Sequence, residues 1–142
     1  MKIGVINGPN LNLLGVREPD IYGTTTLADI ESTLEKTFKE DHFTFYQSNV
    51  EGEIINALQS FSKTVDFMVI NAAAYTHTSI GIADAIASIS TPVIEVHLSN
   101  IFAREDYRHV SLLGKHCVGS ISGFGAKSYE LAVRAGKDLM SK

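Results

Sequence analysis

Paired cysteines, long apolar runs and an excess of positive charge are all missing from this chain. Cys117 is its only cysteine, so no intrachain disulfide can form, and we expect a reducing, cytoplasmic location. No run of about 18 apolar residues occurs and the first residues show no basic-then-apolar pattern, so we expect neither a transmembrane helix nor a secretory signal. The net charge of −4 offers no electrostatic attraction to nucleic acid or to an anionic membrane. Cys117 itself is expected to be a small buried residue on the last strand, not a catalytic thiol.

Motifs for metals, nucleotide cofactors and lysine chemistry are missing as well. The histidines form no i, i+4 pair and no HExxH pattern, and no CxxC occurs, so we expect no metal site. Gly8, Gly15 and Gly23 match neither a GxGxxG fingerprint nor a Walker loop, so we expect no dinucleotide or nucleoside triphosphate. No lysine lies inside an apolar strand, which disfavours a Schiff-base mechanism. The sequence therefore gives no indication of a metal site, a bound nucleotide or a lysine nucleophile.

Short apolar runs alternate along the chain with segments of helical periodicity. The predicted strands are Lys2–Asn7, Phe43–Ser48, Asp66–Asn71, Pro92–His97 and Cys117–Ser122. The apolar faces at helical spacing are Leu27, Ile30, Leu34 and Phe38; Ile54, Ile55, Leu58 and Phe61; Ile80, Ala83, Ile86 and Ile89; and Ala132, Ala135 and Leu139. This alternation predicts a single α/β domain over residues 1–142, with a five-stranded parallel sheet covered on both faces in a three-layer, flavodoxin-like arrangement.

Polar residues gather at the carboxyl ends of the predicted strands, which end in Asn7, Gln47-Ser48, Asn71 and His97. Any one of them alone is explained as an ordinary cap. Ligands of open α/β sheets, however, bind outside these ends, where the strand order reverses. Arg17, Arg104 and Arg108 lie on loops after the first and fourth strands, and arginine suits planar or anionic groups. The sequence therefore predicts a binding site at this edge of the sheet.

The segment after the first strand carries a tyrosine and an arginine at close spacing. It is rich in Gly, Pro and Asn over residues 7–15 and continues to Tyr22, with Arg17 five residues before the tyrosine. An irregular segment of this length in a compact domain is usually functional. Tyrosine is a poor base at neutral pH, but a neighbouring guanidinium favours the phenolate. We interpret the segment as a loop that carries an activated tyrosine.

Two histidines are candidates for acid–base chemistry or binding. Glu95 and His97 are two residues apart on the fourth strand and so point to the same face. A carboxylate beside an imidazole fixes its tautomer and favours the protonated ring, which equips it as a general acid; a structural hydrogen bond is the alternative. His77, after the third strand, either binds a substrate hydroxyl or packs and caps the next helix. Leu98 and Ser99 offer N–H groups and a hydroxyl suited to a carboxylate.

Five separated motifs resemble those of the type II 3-dehydroquinate dehydratases. They are NGPNLNLLGVREPDIYG (residues 7–23), QSNVEGEIIN (47–56), NAAAYTHTS (71–79), PVIEVHLSNIFAREDYRH (92–109) and GSISGFGAKSY (119–129). Their order and joint presence over nearly the whole chain make the resemblance specific. It implies a flavodoxin-like fold, a homo-oligomer that is a dodecamer built from trimers, and no cofactor. The implied reaction is the reversible loss of water from 3-dehydroquinate, the expected substrate, to give 3-dehydroshikimate.

The resemblance also implies a role for each matched residue. The catalytic positions are Tyr22 as proton acceptor, His97 as proton donor, Arg17 as transition-state stabiliser, Asn10 as holder of a water near the enolate, and Glu95 as support for His97. The substrate-binding positions are Asn71, His77, Asp84, Leu98, Ser99 and Arg108. Asp84 is expected to serve the site of a neighbouring subunit.

Three positions depart from the family pattern. Ala72-Ala73 follows Asn71 where the family has Pro-Gly or Ala-Gly, and alanine would strain a turn of positive φ by roughly 1 kcal/mol. Ala83 stands where an arginine is common, and Phe102 stands where a histidine is frequent, which bears on subunit contacts and affinity. The sequence leaves open a biosynthetic role in the shikimate pathway or a catabolic role in quinate breakdown. A non-catalytic small-anion binder of the same fold is the further alternative.

Overall fold

The computed structural model describes all 142 residues, Met1–Lys142. They form a five-stranded, all-parallel sheet in the order β2-β1-β3-β4-β5. The strands are β1 (Lys2–Asn7), β2 (His42–Gln47), β3 (Phe67–Asn71), β4 (Val93–His97) and β5 (Gly119–Ser122). The helices are α1 (Pro19–Tyr22), α2 (Leu27–Thr37), α3 (Glu51–Phe61), α4 (Ile80–Ala87) and α5 (Lys127–Met140). The predicted five-stranded parallel fold is confirmed, and its strand order is that of flavodoxin-like proteins.

Strand residues alternate between two hydrophobic clusters because successive side chains of a strand point to opposite faces. On β3, Phe67 and Val69 join a cluster with α2 and α5, whereas Met68 and Ile70 join a cluster with α3 and α4. All four side chains are fully buried. The sheet is thus the middle of three layers, which explains why its central strands are apolar at every position.

Two predicted helix faces differ from the observed ones. Ala135 and Leu139 of α5 are exposed, and the buried face of that helix contains Tyr129, Val133 and Gly136. A Cβ atom at Gly136 would overlap the ring of Phe67, so the helix packs through a glycine that an apolar pattern does not mark. In α4, Ile80 is 68% exposed because it occupies the first turn, where Ser79 caps the helix by accepting from the Ile82 N–H at 2.9 Å.

Cys117 precedes the last strand and is half-buried, so its predicted place within that strand was wrong. It follows the helical turn Gly114–His116, and its backbone N–H bonds to the Gly114 carbonyl instead of to β4. The helices of the molecule include none with the length and apolarity that crossing a membrane demands.

The sheet aligns the polar strand ends. Asn7 of β1 is in register with Gln47 of β2 and with Asn71 of β3. Because β1 has β2 on one side and β3 on the other, the chain leaves it in one direction and later returns to the other side. Connections that diverge in this way open a crevice at the carboxyl edge, where a ligand can enter.

Candidate active site

A cleft with an empty volume of about 610 Å³ opens at the carboxyl edge of β1, β3 and β4. Four of the five predicted catalytic side chains line it: Asn10, Arg17, Tyr22 and His97. Five of the six predicted substrate-binding residues line it as well: Asn71, His77, Leu98, Ser99 and Arg108. The fold therefore brings together residues separated by up to 98 positions in the chain, from Asn10 to Arg108.

The segment that carries Tyr22 is not irregular throughout, which corrects the prediction of a loop. Leu11–Leu13 forms a 3₁₀ turn and Pro19–Tyr22 forms the short helix α1. Pro19 occupies the first helical position, where its missing N–H costs nothing, and Gly23 ends the helix at a φ of 77°. Tyr22 is the last residue of this turn and is half-buried.

Two guanidinium groups flank the Tyr22 ring. The Cζ atoms of Arg17 and Arg104 each lie 5.3 Å from the ring centroid. Arg104 Nη1 also donates to the Tyr22 hydroxyl at 2.8 Å, whereas Arg17 makes an ion pair with Glu18 at 3.4 Å. Arg17 therefore stacks beside the phenol, and Arg104 contacts the oxygen that would carry the negative charge.

Arg104 was not among the predicted site residues. The sequence placed it on a loop after the fourth strand, but no spacing rule connects it with a tyrosine 82 residues away. The His109 ring contacts the Arg104 carbonyl oxygen through Nε2 at 2.8 Å, and a carbonyl only accepts, so that nitrogen carries the hydrogen. This contact holds the backbone of the loop that delivers Arg104.

Glu95 and His97 meet at the end of β4, as their spacing predicts. His97 Nε2 lies 3.2 Å from Glu95 Oε2, and the two residues are only 5% and 2% exposed. Because Nε2 faces the carboxylate, Nδ1 is the ring nitrogen left for the cleft. Burial raises the pKa of Glu95, but the neighbouring His97 ring and the hydrogen bonds from Ser111 and Ser120 outweigh burial and hold the pKa below its usual range. Glu95 thus lies behind His97 instead of lining the cleft.

His77 is held in one tautomer. Its Nδ1 lies 2.8 Å from the Val110 carbonyl oxygen, so Nδ1 carries the hydrogen and the neutral ring presents Nε2 as an acceptor. Burial, with His97 and Arg108 nearby, lowers the pKa of His77, which favours this neutral form. Its ring stacks on that of His97 with centroids 6.2 Å apart.

The turn after β3 is built around Asn71. Its Oδ1 accepts from the Ala73 N–H at 3.1 Å, and its Nδ2 donates to the buried Tyr129 hydroxyl at 2.9 Å. Ala73 has a φ of 51°, so the turn does place an alanine in the left-handed region. Asn71 lines the cleft, and one hydrogen of its amide has no partner within the protein.

The turn after β4 leaves two backbone donors free. The N–H groups of Leu98 and Ser99 bond to no other backbone group, while the Leu98 carbonyl accepts from Gly125 at 2.9 Å. The glycine-rich segment before α5, which contains Gly123 and Gly125, thereby packs against this turn. Adjacent free N–H groups form a cradle for an anion.

Asp84 is the predicted substrate-binding residue that lies outside the cleft. It is exposed on α4. Its assignment to the site of a neighbouring subunit stays a prediction. No group of three or more His, Cys, Asp or Glu side chains is arranged to hold a metal ion.

Comparisons with known proteins agree on one family. The family model for dehydroquinase class II matches residues 1–137. A 3-dehydroquinate dehydratase of Prochlorococcus marinus (strain MIT 9301) is 53% identical over 135 residues, covering 94% of this chain and 92% of that protein. One from Fusobacterium nucleatum is 52% identical over 138 residues, covering 94% of each. The crystal structure of the type II dehydroquinase from Butyrivibrio crossotus DSM 2876 superimposes with a TM-score of 0.94 at 44% identity, covering 96% of this chain and 97% of that one.

Proposed function

The chain belongs to the dehydroquinase class II family and is a hydro-lyase, and from this premise we propose that it removes water reversibly from 3-dehydroquinate to give 3-dehydroshikimate. The substrate follows from the relatives' names. One observation carries the proposal: Tyr22, flanked by two guanidiniums, and His97, backed by a carboxylate, line the same cleft. A base and an acid on one small cavity suit an elimination.

In this mechanism Tyr22 removes the proton α to the ketone. A tyrosine that acts as a base near neutral pH needs its phenolate favoured by about 4 kcal/mol. A unit charge about 4 Å from the phenolate supplies about that much at an effective dielectric constant of 20. Arg104, which donates to the hydroxyl and has a side chain only 12% exposed, is the main source of this attraction, and Arg17 adds to it.

His97 completes the elimination by protonating the departing hydroxyl group. The Glu95 carboxylate, whose Oε2 lies 3.2 Å from Nε2, balances the charge of the imidazolium, and the proton that is transferred sits on Nδ1. The enolate oxygen that forms between the two steps is stabilised by a water held by Asn10.

The remaining cleft residues hold the substrate. The free N–H groups of Leu98 and Ser99, with the Asn71 amide, bind the carboxylate. His77 accepts a hydrogen bond from a ring hydroxyl through Nε2, and Arg108 supplies positive charge at the mouth of the cleft. This donor set selects a compact, hydroxylated anion.

The decisive test is the Tyr22→Phe variant. Dehydration creates a conjugated product, so ultraviolet absorbance should rise when 3-dehydroquinate is added to the wild-type protein without metal or cofactor. Tyr22→Phe should show no turnover while its binding of substrate, measured by calorimetry, stays within a few-fold of wild type. Tyr107→Phe, at a residue 66% exposed, is the matched control and should behave like wild type. Near-normal turnover in Tyr22→Phe would refute the assignment.

The proposal also covers the oligomeric state, the cellular location and the metabolic pathway of the protein. We infer a cytoplasmic dodecamer built from trimers that works in the shikimate pathway. Exposed Phe102 (67%) and Phe124 (64%) and the remote Asp84 support contacts with further copies of the chain. Sedimentation velocity tests the assembly, and a monomer at micromolar concentration would contradict it.

A further inference from the structure

The Glu95 carboxylate is held by two serines from separate parts of the chain. Ser111, in the segment between β4 and β5, donates to Oε2 at 2.5 Å. Ser120, on β5, donates to Oε1 at 3.0 Å. Oε2 is also the oxygen that lies 3.2 Å from His97 Nε2. Each carboxylate oxygen therefore has a fixed donor, and one of them is shared with the ring.

The hydroxyl hydrogen of Ser111 has only one hydrogen-bond acceptor available, the Glu95 carboxylate. Its oxygen accepts from the backbone N–H groups of Leu113 at 3.2 Å and Gly114 at 3.0 Å, which occupy its lone pairs. The hydroxyl hydrogen must then point to Glu95. A donor that cannot rotate away keeps its partner as an acceptor, so the arrangement favours the carboxylate over the carboxylic acid.

We propose that Ser111 and Ser120 are positioning residues, which lock the Glu95 carboxylate against His97 so that the ring keeps its hydrogen on Nε2 and turns Nδ1 to the cleft. The inference rests on the proposed function, because it assigns His97 the role of proton donor. Neither serine lines the cleft. Their influence passes entirely through Glu95.

The surroundings of Glu95 offer no other means of orienting it. His97 is its only partner among the ion pairs of the chain. The other titratable groups nearby are His77, which stacks on His97, and Cys117, where burial first and Glu95 second raise the pKa of the thiol to about 12. Neither supplies positive charge near neutral pH, so the orientation of this buried carboxylate depends on neutral donors.

The balance of forces on Glu95 predicts what their loss would do. Burial alone raises the pKa of this carboxyl, and the hydrogen bonds reverse the shift. Removing a serine hydroxyl leaves the burial in place, so Glu95 takes up a proton at a higher pH. A protonated Glu95 no longer balances an imidazolium and can itself donate to Nε2, which would switch the tautomer of His97.

The test compares Ser111→Ala, Ser120→Ala and the double variant with wild type. Each single variant should lower kcat about 10-fold, with KM little changed, and should move the ascending limb of the kcat–pH profile to higher pH. Ser120→Thr, which keeps the hydroxyl, should recover activity. Ser122→Ala is the matched control: it lies two residues along the same strand, has no bond to Glu95, and should match wild type.

NMR of isotope-labelled histidine measures the tautomer of His97 directly and does not depend on catalytic turnover. In its neutral form, the wild-type His97 ring should show the Nε2–H tautomer, and the neutral ring of the double variant should show a mixture or the Nδ1–H form. Ser111 also holds a turn, so Ser120→Ala decides the matter if Ser111→Ala folds poorly. Wild-type kcat, pH profile and tautomer in Ser120→Ala would overturn the inference. If wild type itself does not dehydrate 3-dehydroquinate, the proposed function fails separately, and the NMR result still decides whether the serines orient His97.

Discussion

Replacing Arg104 by alanine removes the one side chain that hydrogen-bonds the Tyr22 hydroxyl, at 2.8 Å. Arg17→Ala is the matching perturbation, since its Cζ lies at the same 5.3 Å from the ring centroid but makes no bond to the oxygen. Comparing these two variants distinguishes the effect of a positive charge at the phenolate oxygen from the effect of a positive charge beside the ring. If the phenolate is the base, Arg104→Ala should impair proton removal more than Arg17→Ala does.

The size of the effect follows from Coulomb attraction. An ion pair about 4 Å apart at an effective dielectric constant of 20 is worth about 4 kcal/mol. Water will enter the space left by Arg104 and recover part of this, so we expect a loss of about 2 to 3 kcal/mol, or about 30- to 150-fold in kcat. Arg104→Lys should recover part of the rate, since it restores the charge without the planar fork.

The assay is steady-state turnover over a range of pH, repeated with substrate deuterated α to the ketone. A larger isotope effect in Arg104→Ala would place the loss in the proton-removal step. Arg134→Ala, whose partner is Glu130 on the surface of α5, is the control and should leave turnover unchanged. An Arg104→Ala enzyme with wild-type kcat and a wild-type isotope effect would show that the guanidinium does not stabilise the base.

Three further predictions concern stability, each measured by urea denaturation. Ala73→Gly should raise the free energy of unfolding by about 1 kcal/mol, because the native φ of 51° strains alanine; an unchanged midpoint would contradict this. Gly136→Ala should lower it by about 1 to 3 kcal/mol, because the new methyl group meets the Phe67 ring; wild-type stability would show that α5 can shift. Burial raises the pKa of Asp41, but hydrogen bonds from Lys137 and the N-terminal amine outweigh it and hold the pKa below its ordinary value. Since the folded-state pKa is the lower one, this stabilisation is present above about pH 4 and is lost as the pH falls through the folded-state value. The difference in stability between wild type and Asp41→Asn should therefore shrink in acid, and a constant difference would exclude the ionic contribution.

Local patterns predicted the elements of the fold well. The first strand was predicted at its observed bounds, Lys2–Asn7, and the helical spacing of Leu27, Ile30 and Leu34 predicted α2. The incorrect predictions concern segments whose structure depends on tertiary contacts or on helix-starting residues, which the pattern of apolar residues does not show. Gly136 forms the buried face of α5 although it carries no apolar side chain, and the supposed loop before Tyr22 forms a helical turn started by Pro19.

The amino-acid sequence by itself determined the alternation of strands and helices, the polar strand ends and the pairing of Glu95 with His97, because periodicity and short spacing are local properties of a chain. Only the tertiary structure decided that Arg104 contacts the Tyr22 oxygen and that Ser111 and Ser120 hold Glu95. These partners are 82, 16 and 25 residues apart. Hydrogen bonds at such separations depend on how the strands are ordered and how the loops return, and no local pattern contains that information.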